Sequence, residues 1–274
     1  MLELLQEYNY IEHVPNDIGV EDRFLPPESF HMQQKLNKIT KWTKDNLAKI
    51  NTRKSNYIIF SRSKTTNFQT RLSMDGMKID RQEYVKILGV WLSEDISDWS
   101  KNTSEICRKA YSRVGMLTKL KYVGVPIEDL IEIYCLFIRS ATEYCSVVFG
   151  TSLTQEQTRK LTNIERTCLK VILQESYVSY EAALEMTGLS SLTDRRSRHI
   201  LLFAKRAARH PVHGPRMFPL TPNIQELQNL REREKYQVNY SRGAAYYNST
   251  IPTSNDCFFK LNKTFKPLIS HRDL

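Results

Sequence analysis

The stretch from Asn51 to Leu92 constrains the fold more than any other, because it reads as a buried, lysine-bearing strand, a tight hairpin and a Leu-Gly-Val strand in succession. Asn51-Thr52-Arg53-Lys54-Ser55 runs into Tyr57-Ile58-Ile59-Phe60, a β-branched and aromatic run that fits a pleated, half-buried surface. Leu72-Ser73-Met74 and Met77-Lys78-Ile79 flank Asp75-Gly76. That pair supplies the two positive-φ positions of a type I′ turn, so Leu72 to Ile79 reads as a β-hairpin. Gly89 interrupts the run Ile87-Leu88-Gly89-Val90-Trp91, and a glycine there marks a bulge or the close approach of another group to the backbone. Two readings stay open on the residues alone: a surface approached by a ligand strand, or a three-stranded sheet packed on one helix with no ligand.

The rest of the chain reads as helix. Met32, Leu36, Ile39 and Trp42 recur at helical spacing and Leu47 continues the apolar side, which predicts one amphipathic helix from Phe30 to Lys49. Ser100 caps a second helix running to about Tyr122, with Ile106, Val114, Leu117 and Leu120 as its apolar stripe. Gly124-Val125-Pro126 makes a turn into a third, Ile127 to Phe149, whose apolar residues surround the axis and predict burial on most sides. Within it Arg139 and Glu143 stand one turn apart and pair with each other. Thr154 and Gln157 have capping-box spacing before the edge Leu161, Ile164, Cys168 and Ile172. Tyr180 to Met186 reads as a short helix ended by Gly188, and Ser191 or Thr193 caps a basic helix that stops before Pro211. Beyond Pro211 the recurring prolines and polar residues predict an irregular tail.

Composition excludes several classes. With 274 residues and 41% hydrophobic content the chain can bury a real core in one or two domains. No run approaches the roughly 18 apolar residues of a membrane span, and Met1-Leu2-Glu3 lacks the basic start of a signal peptide, so no membrane partner and an intracellular location are expected. The five cysteines, Cys107, Cys135, Cys145, Cys168 and Cys257, are scattered without Cys-x-x-Cys pairing and read as buried small hydrophobes. His210-x-x-His213 has no further ligand at metal-binding spacing and reads as a proline-rich loop. No glycine-flanked serine supports Ser-His-Asp catalysis.

Charge is polarised along the chain. In the first thirty residues Glu3, Glu7, Glu12, Asp17, Glu21, Asp22 and Glu28 face a single Arg23, a balance of −6, while the whole chain carries +10. The basic remainder suits a polyanion, and phosphate backbones are the commonest one inside cells. Three clusters concentrate it: Lys41, Lys44, Lys49, Arg53, Lys54, Arg62 and Lys64; Lys101, Arg108, Lys109, Arg113, Lys119 and Lys121; and Arg195, Arg196, Arg198, Lys205, Arg206 and Arg209. On the second helix Lys101, Arg108 and Lys119 fall within about 20° of one another by the 3.6-residue period, opposite the apolar stripe. Such a ridge can lie along a nucleic-acid backbone or be a solvated face. Tyr8, Tyr10 and Phe24 read as a partner patch or as core residues without their partners.

The series Trp42, Asn46, Asn51-x-x-Lys54, Leu88-Gly89-Val90, Trp99, Ala110, Leu117, Tyr134, Ile138-Arg139, Glu143-Tyr144, Leu161, Ile164-Glu165, Ile172-Leu173, Tyr177, Tyr180, Leu184, Leu189, Leu192 and Arg195-Arg196 resembles the palm end and thumb of jockey-type non-LTR retrotransposon reverse transcriptases. The likeness is strongest from Leu36 to Arg209, and Arg231 to Pro252 resembles the carboxyl end of such reading frames. The resemblance implies an α+β fold: a small antiparallel palm-end sheet with one helix, then a mainly helical thumb and carboxyl-terminal region. The expected segments are an acidic palm remnant (1–30), the palm end (31–95), the thumb (96–175), a helical extension (176–212) and an irregular tail (213–274).

The same resemblance makes Lys54 the palm lysine, facing the incoming nucleotide or departing pyrophosphate, and makes Lys86, Leu88 and Gly89 the primer grip. It implies a thumb holding primer–template duplex or RNA–DNA hybrid by its backbone, with Lys101, Arg108 and Lys119, chosen from the helical wheel, as the phosphate contacts. The intact family enzyme uses Mg2+ held by converging carboxylates from an earlier strand and a Tyr-x-Asp-Asp-type turn. Neither occurs here, and Glu94, Asp95 and Asp98 read as helix-approach residues, so no cofactor is expected in this chain. Met1 to Leu5 resembles the segment just after that turn, so Met1 reads as an internal methionine of a longer frame. Two expectations stand: a portion of an RNA-directed DNA polymerase, inactive alone and nuclear by family habit, or a non-catalytic nucleic-acid-binding protein derived from such an element.

Overall fold

Asp75 and Gly76 take φ of 52° and 77°, the positive pair that a type I′ turn requires, and they close an antiparallel ribbon between β2 (Ser73–Met74) and β3 (Met77–Lys78). The computed structural model describes residues 29–60 and 71–217. Tyr8, Tyr10, Phe24, Arg62, Lys64, Cys257, nearly all of the acidic leader and the tail beyond 217 lie outside the described residues. The fold is mixed and mostly helical, in keeping with α+β. The described residues divide into two compact units: one holds those up to Val85 together with Ser93–Asp95, the other holds Lys86–Leu92 and those from Ile96 on.

In the first unit α1 (Ser29–Asp45) lies on β2, and Leu36, Leu72, Met74 and Ile79 form its core, with Met32, Ile50 and Tyr57 packed around them. The Gln33 amide fastens the two elements as a strand would. Its nitrogen donates to the Ser73 carbonyl at 2.8 Å and its oxygen accepts from the Ser73 N–H at 2.9 Å. The helix stops at Asp45, short of the expected Lys49. Leu47 adopts φ 55°, and the Leu47 and Ala48 N–H groups close on Lys44 and Thr43 in a Schellman arrangement. Leu47, expected on the apolar face, is consequently 97% exposed.

The expected single antiparallel sheet is not what forms among the described residues. Tyr57 to Phe60 contributes only β1 (Asn56–Tyr57), which pairs in parallel with β4 (Asp80–Arg81), while β2 pairs with β3 and β5 (Tyr84–Ile87) with β6 (Val90–Ser93). Lys54, expected on a buried strand, is exposed in the turn before β1, where its N–H donates to the Asn51 carbonyl at 3.0 Å. The physical reason is that turn: Lys54 and Ser55 both fold back onto Asn51, so extension begins only at Asn56.

The second unit is built on α2 (Ser100–Tyr122) packed against α6 (Gln155–Leu173). Val114 and Leu117 of α2 and Leu161, Ile164, Cys168 and Ile172 of α6 are buried as their spacing predicts, with Ala110 between them and Ile106 and Leu120 packed on the edge. Ser100 does not cap α2. Trp99 occupies the cap position, and Asp98 receives the Ser100 N–H at 2.9 Å. Thr154 and Gln157 do form a full capping box on α6.

The expected continuous helix from Ile127 to Phe149 is broken. It runs as α3 (Ile127–Ile133), a π-helical stretch (Tyr134–Arg139) and α4 (Ser140–Glu143), turns at Cys145 with φ 52°, and resumes as α5 (Ser146–Phe149). The wider π turn rotates the apolar set, so Leu130, Tyr134, Ile138 and Phe149 are fully buried while Leu136 and Phe137 are 60% and 52% exposed. Helices α7 (Tyr180–Thr187, closed by Gly188) and α8 (Leu192–Arg209, capped by Ser191) follow their predicted bounds, and the short α9 (His213–Met217) comes after Pro211.

Of the six cations assigned to the α8 basic cluster, Arg196 is buried and the half-buried Arg195 is drawn to a buried carboxylate. Arg195 and Arg139 converge on Glu143, and Arg139 also donates to the Ser190 carbonyl at 2.9 Å. Burial raises the Glu143 pKa, but the Arg195 hydrogen bond and the charges of both arginines outweigh it and leave the carboxyl below its ordinary value. Arg196 is buried with Nε and Nη2 unpartnered, and desolvation holds its pKa down. Glu165 is the second buried carboxylate. It accepts from Tyr134 at 3.0 Å, Tyr180 at 2.5 Å and the Leu192 N–H at 3.1 Å, joining three segments.

Candidate nucleic-acid interface

The β5–β6 hairpin turns at Leu88 and Gly89, which take φ of 46° and 87°, so the two positions expected as a primer-grip turn do form a tight turn. Gly89 is not the interruption of a strand. A Cβ there would lie 3.1 Å from Cε1 of Tyr144, and the Tyr144 phenol donates to the Leu88 carbonyl at 2.8 Å. The close approach that the glycine signals is made by this chain's own tyrosine.

On the returning strand, the Trp91 N–H donates to Oδ1 of Asn102 at 3.2 Å, tying the hairpin to the first turn of α2. Two cations lie against the Trp91 indole. The ammonium of Lys101 lies 4.3 Å from the ring centroid and that of Lys86 lies 5.9 Å from it. A cleft of about 330 Å³ opens beside this arrangement. Asn102, Glu105, Ile106, Lys109 and Arg113 line it along one stripe of α2, Gly89 to Trp91 form the rim, and Ser140 and Tyr144 face across. Arg113 donates to the Phe137 carbonyl in the π-helical stretch, which fixes its guanidinium at one end of the cleft.

The sequence-derived residues are distributed unevenly. Lys86 and Lys101 are brought together on Trp91, a convergence that helical spacing could not reveal. Arg108, which is not among the residues lining the cleft, is held by Glu105 at 3.0 Å, and that hydrogen bond lowers the Glu105 pKa and raises the Arg108 pKa. Lys119 is exposed in the last turn of α2, about 27 Å along the axis from Lys101. Lys54 belongs to the first unit. Asn102 and Tyr144 carry the local geometry, and neither stood out as a site residue, because a polar residue in a first helical turn and an aromatic residue near a helix end are ordinary.

Among the described residues no group of three or more His, Cys, Asp or Glu is placed to hold a metal ion. No described helix is long and apolar enough to cross a membrane. Compared with family models, with curated proteins and with solved structures, the chain matches none.

Proposed function

We propose that this chain is the palm end and thumb of an RNA-directed DNA polymerase of the jockey type, and that its own contribution is to grip a primer–template duplex or RNA–DNA hybrid. The ordered series of motifs supports that reading, as do the net charge of +10 and the turn at Leu88 and Gly89. The observation that carries it is Trp91, an aromatic plane with Lys86 and Lys101 against it, on a hairpin pinned by Tyr144 and Asn102. Aromatic planes stack on bases or sugars, and cations beside them meet phosphates. Lys54 would act as the palm lysine only alongside carboxylates supplied by another part of the enzyme.

The test is binding of the purified chain to a labelled RNA–DNA hybrid across a salt series, with and without magnesium. The affinity should fall steeply with salt, and independently of magnesium. Replacing Lys86, Lys101 and Lys119 with alanine should flatten the log–log slope by about 0.9 for each phosphate no longer neutralised. Arg108→Ala should change it less, because Glu105 already compensates that charge. Absence of binding at low salt would sink the proposal.

A further inference from the structure

We infer that the cleft beside Trp91 receives one unpaired nucleotide, with Asn102 donating to its base and Lys109 and Arg113 holding its phosphate. The inference rests on the nucleic-acid reading above and adds a second, single-nucleotide contact to it. Asn102 is 3% exposed, and its amide orientation is fixed because Oδ1 takes the Trp91 N–H. Nδ2 is left inside the protein with no hydrogen-bond partner. A buried donor without an acceptor is costly, and such groups in a cleft wall mark places where a ligand supplies the missing atom.

The surroundings select the ligand's chemistry. Val90, Ile106 and Phe149 give the cleft an apolar lining suited to a flat ring, and its volume of about 330 Å³ falls at the small-ligand end of binding sites. Glu105 stands one turn from Asn102 on the same stripe, so a donor and an acceptor lie side by side. Each of the four bases carries an acceptor next to an N–H donor on one edge, so that pair suits a nucleobase without choosing among them. Lys109 follows two turns, about 10 Å, along α2, a separation that a lysine stem and the base-to-phosphate length of a nucleotide together span. Arg113 also lines the cleft and completes its cationic end, with one nitrogen donating to the Phe137 carbonyl.

Calorimetric titration of the full chain with CMP, GMP, AMP and UMP, and with inorganic phosphate, tests this. Asn102→Asp keeps an oxygen for the Trp91 N–H but removes the donor, Lys109→Ala removes a surface cation, and Lys160→Ala on α6 is the control. The nucleoside monophosphates should bind wild type and Lys160→Ala alike, and about tenfold more weakly to Asn102→Asp and to Lys109→Ala. Inorganic phosphate should respond to Lys109→Ala and not to Asn102→Asp. Should Asn102→Asp lower the melting temperature, Lys109→Ala on an exposed turn still decides the matter. The inference is overturned if no monophosphate binds wild type, or if binding is unchanged in both variants. Hybrid binding by the same preparations separates the two ideas. A chain that holds hybrid but no monophosphate loses only the cleft, and one that binds CMP but not hybrid keeps the cleft and loses the duplex grip.

Discussion

The Tyr144 phenol donates to the Leu88 carbonyl at 2.8 Å while its ring edge occupies the space that a side chain at position 89 would enter, so one tyrosine both fastens the hairpin turn and demands a glycine there. Gly89→Ala meets two penalties, a φ of 87° and a 3.1 Å contact with Tyr144. Urea denaturation should show a loss of about 1–3 kcal/mol. Tyr144→Phe, which removes only the hydrogen bond, should cost about 0.5–1.5 kcal/mol, and in its background the Gly89→Ala cost should persist because the ring remains. Equal stability of Gly89→Ala and wild type would show that the turn does not take this form.

Glu143 joins Arg139 and Arg195, so Glu143→Gln leaves two guanidinium groups without their carboxylate. Chemical denaturation at neutral pH should register a loss of about 3–5 kcal/mol, the range for removing one member of a buried ion pair. The pH dependence has a fixed sign. The carboxyl titrates below its ordinary 4.5 when folded, so its contribution is fully present above that value and disappears as pH falls through the folded pKa. Wild type should therefore lose stability on acidification more steeply than Glu143→Gln. Parallel acid limbs for the two proteins would contradict the arrangement.

How much of this was legible follows the range of each signal. The Asp75-Gly76 turn, the Thr154–Gln157 box and the α6 edge are set by neighbours within a few residues, and they appear where the sequence places them. The Arg139–Glu143 pair was also visible, being one turn apart, but Arg195 lies 52 residues from Glu143 and could not be joined to it by spacing. The same limit applies at the candidate interface. Gly89 announces a close neighbour without naming Tyr144, and Lys86 and Lys101, which lie 15 residues apart on a strand and a helix, meet on the ring of Trp91. The π-helical stretch at Tyr134–Arg139 changes the number of residues per turn, so an apolar run that reads as buried all round exposes Leu136 and Phe137.

Tyr134 and Tyr180 both donate to Glu165, and burial first, then the Glu165 carboxylate, raise both phenol pKa values well above the ordinary 10.0. Their neutral forms stabilise the folded chain below about pH 10, and that contribution is lost as pH rises beyond it, because the unfolded tyrosines ionise first. Denaturation from pH 8 to 11 should show a falling limb that Tyr180→Phe makes shallower, at a cost of about 1 kcal/mol at pH 8. Unchanged alkaline behaviour in that variant would remove Tyr180 from the linkage.

Burial also pushes the Cys168 thiol up to about 12 and raises that of Cys107. Since the thiolate is the reactive form, Cys168 should resist a thiol reagent in the folded protein and react only on unfolding. Mass spectrometry after brief labelling, with and without denaturant, reads this residue by residue. Labelling of Cys168 under native conditions at the rate of an exposed thiol would place it outside the α2–α6 core.

Trp91 separates stacking from charge in the proposed grip. Stacking on one base contributes about 1–3 kcal/mol, so Trp91→Ala should weaken hybrid binding by about tenfold or more, with Trp91→Phe retaining part of the affinity. The salt slope counts released counterions rather than stacked rings, so it should change little in Trp91→Ala while flattening in the Lys86, Lys101 and Lys119 variant. The loss of the ring also releases Lys101 from its 4.3 Å position, so any residual change in slope should not exceed that of Lys101→Ala alone. Equilibrium binding at three or more salt concentrations gives both quantities at once. If Trp91→Ala binds the hybrid as tightly as wild type at every salt concentration, the hairpin does not present its indole to nucleic acid, and any grip resides in the cations of α2 alone.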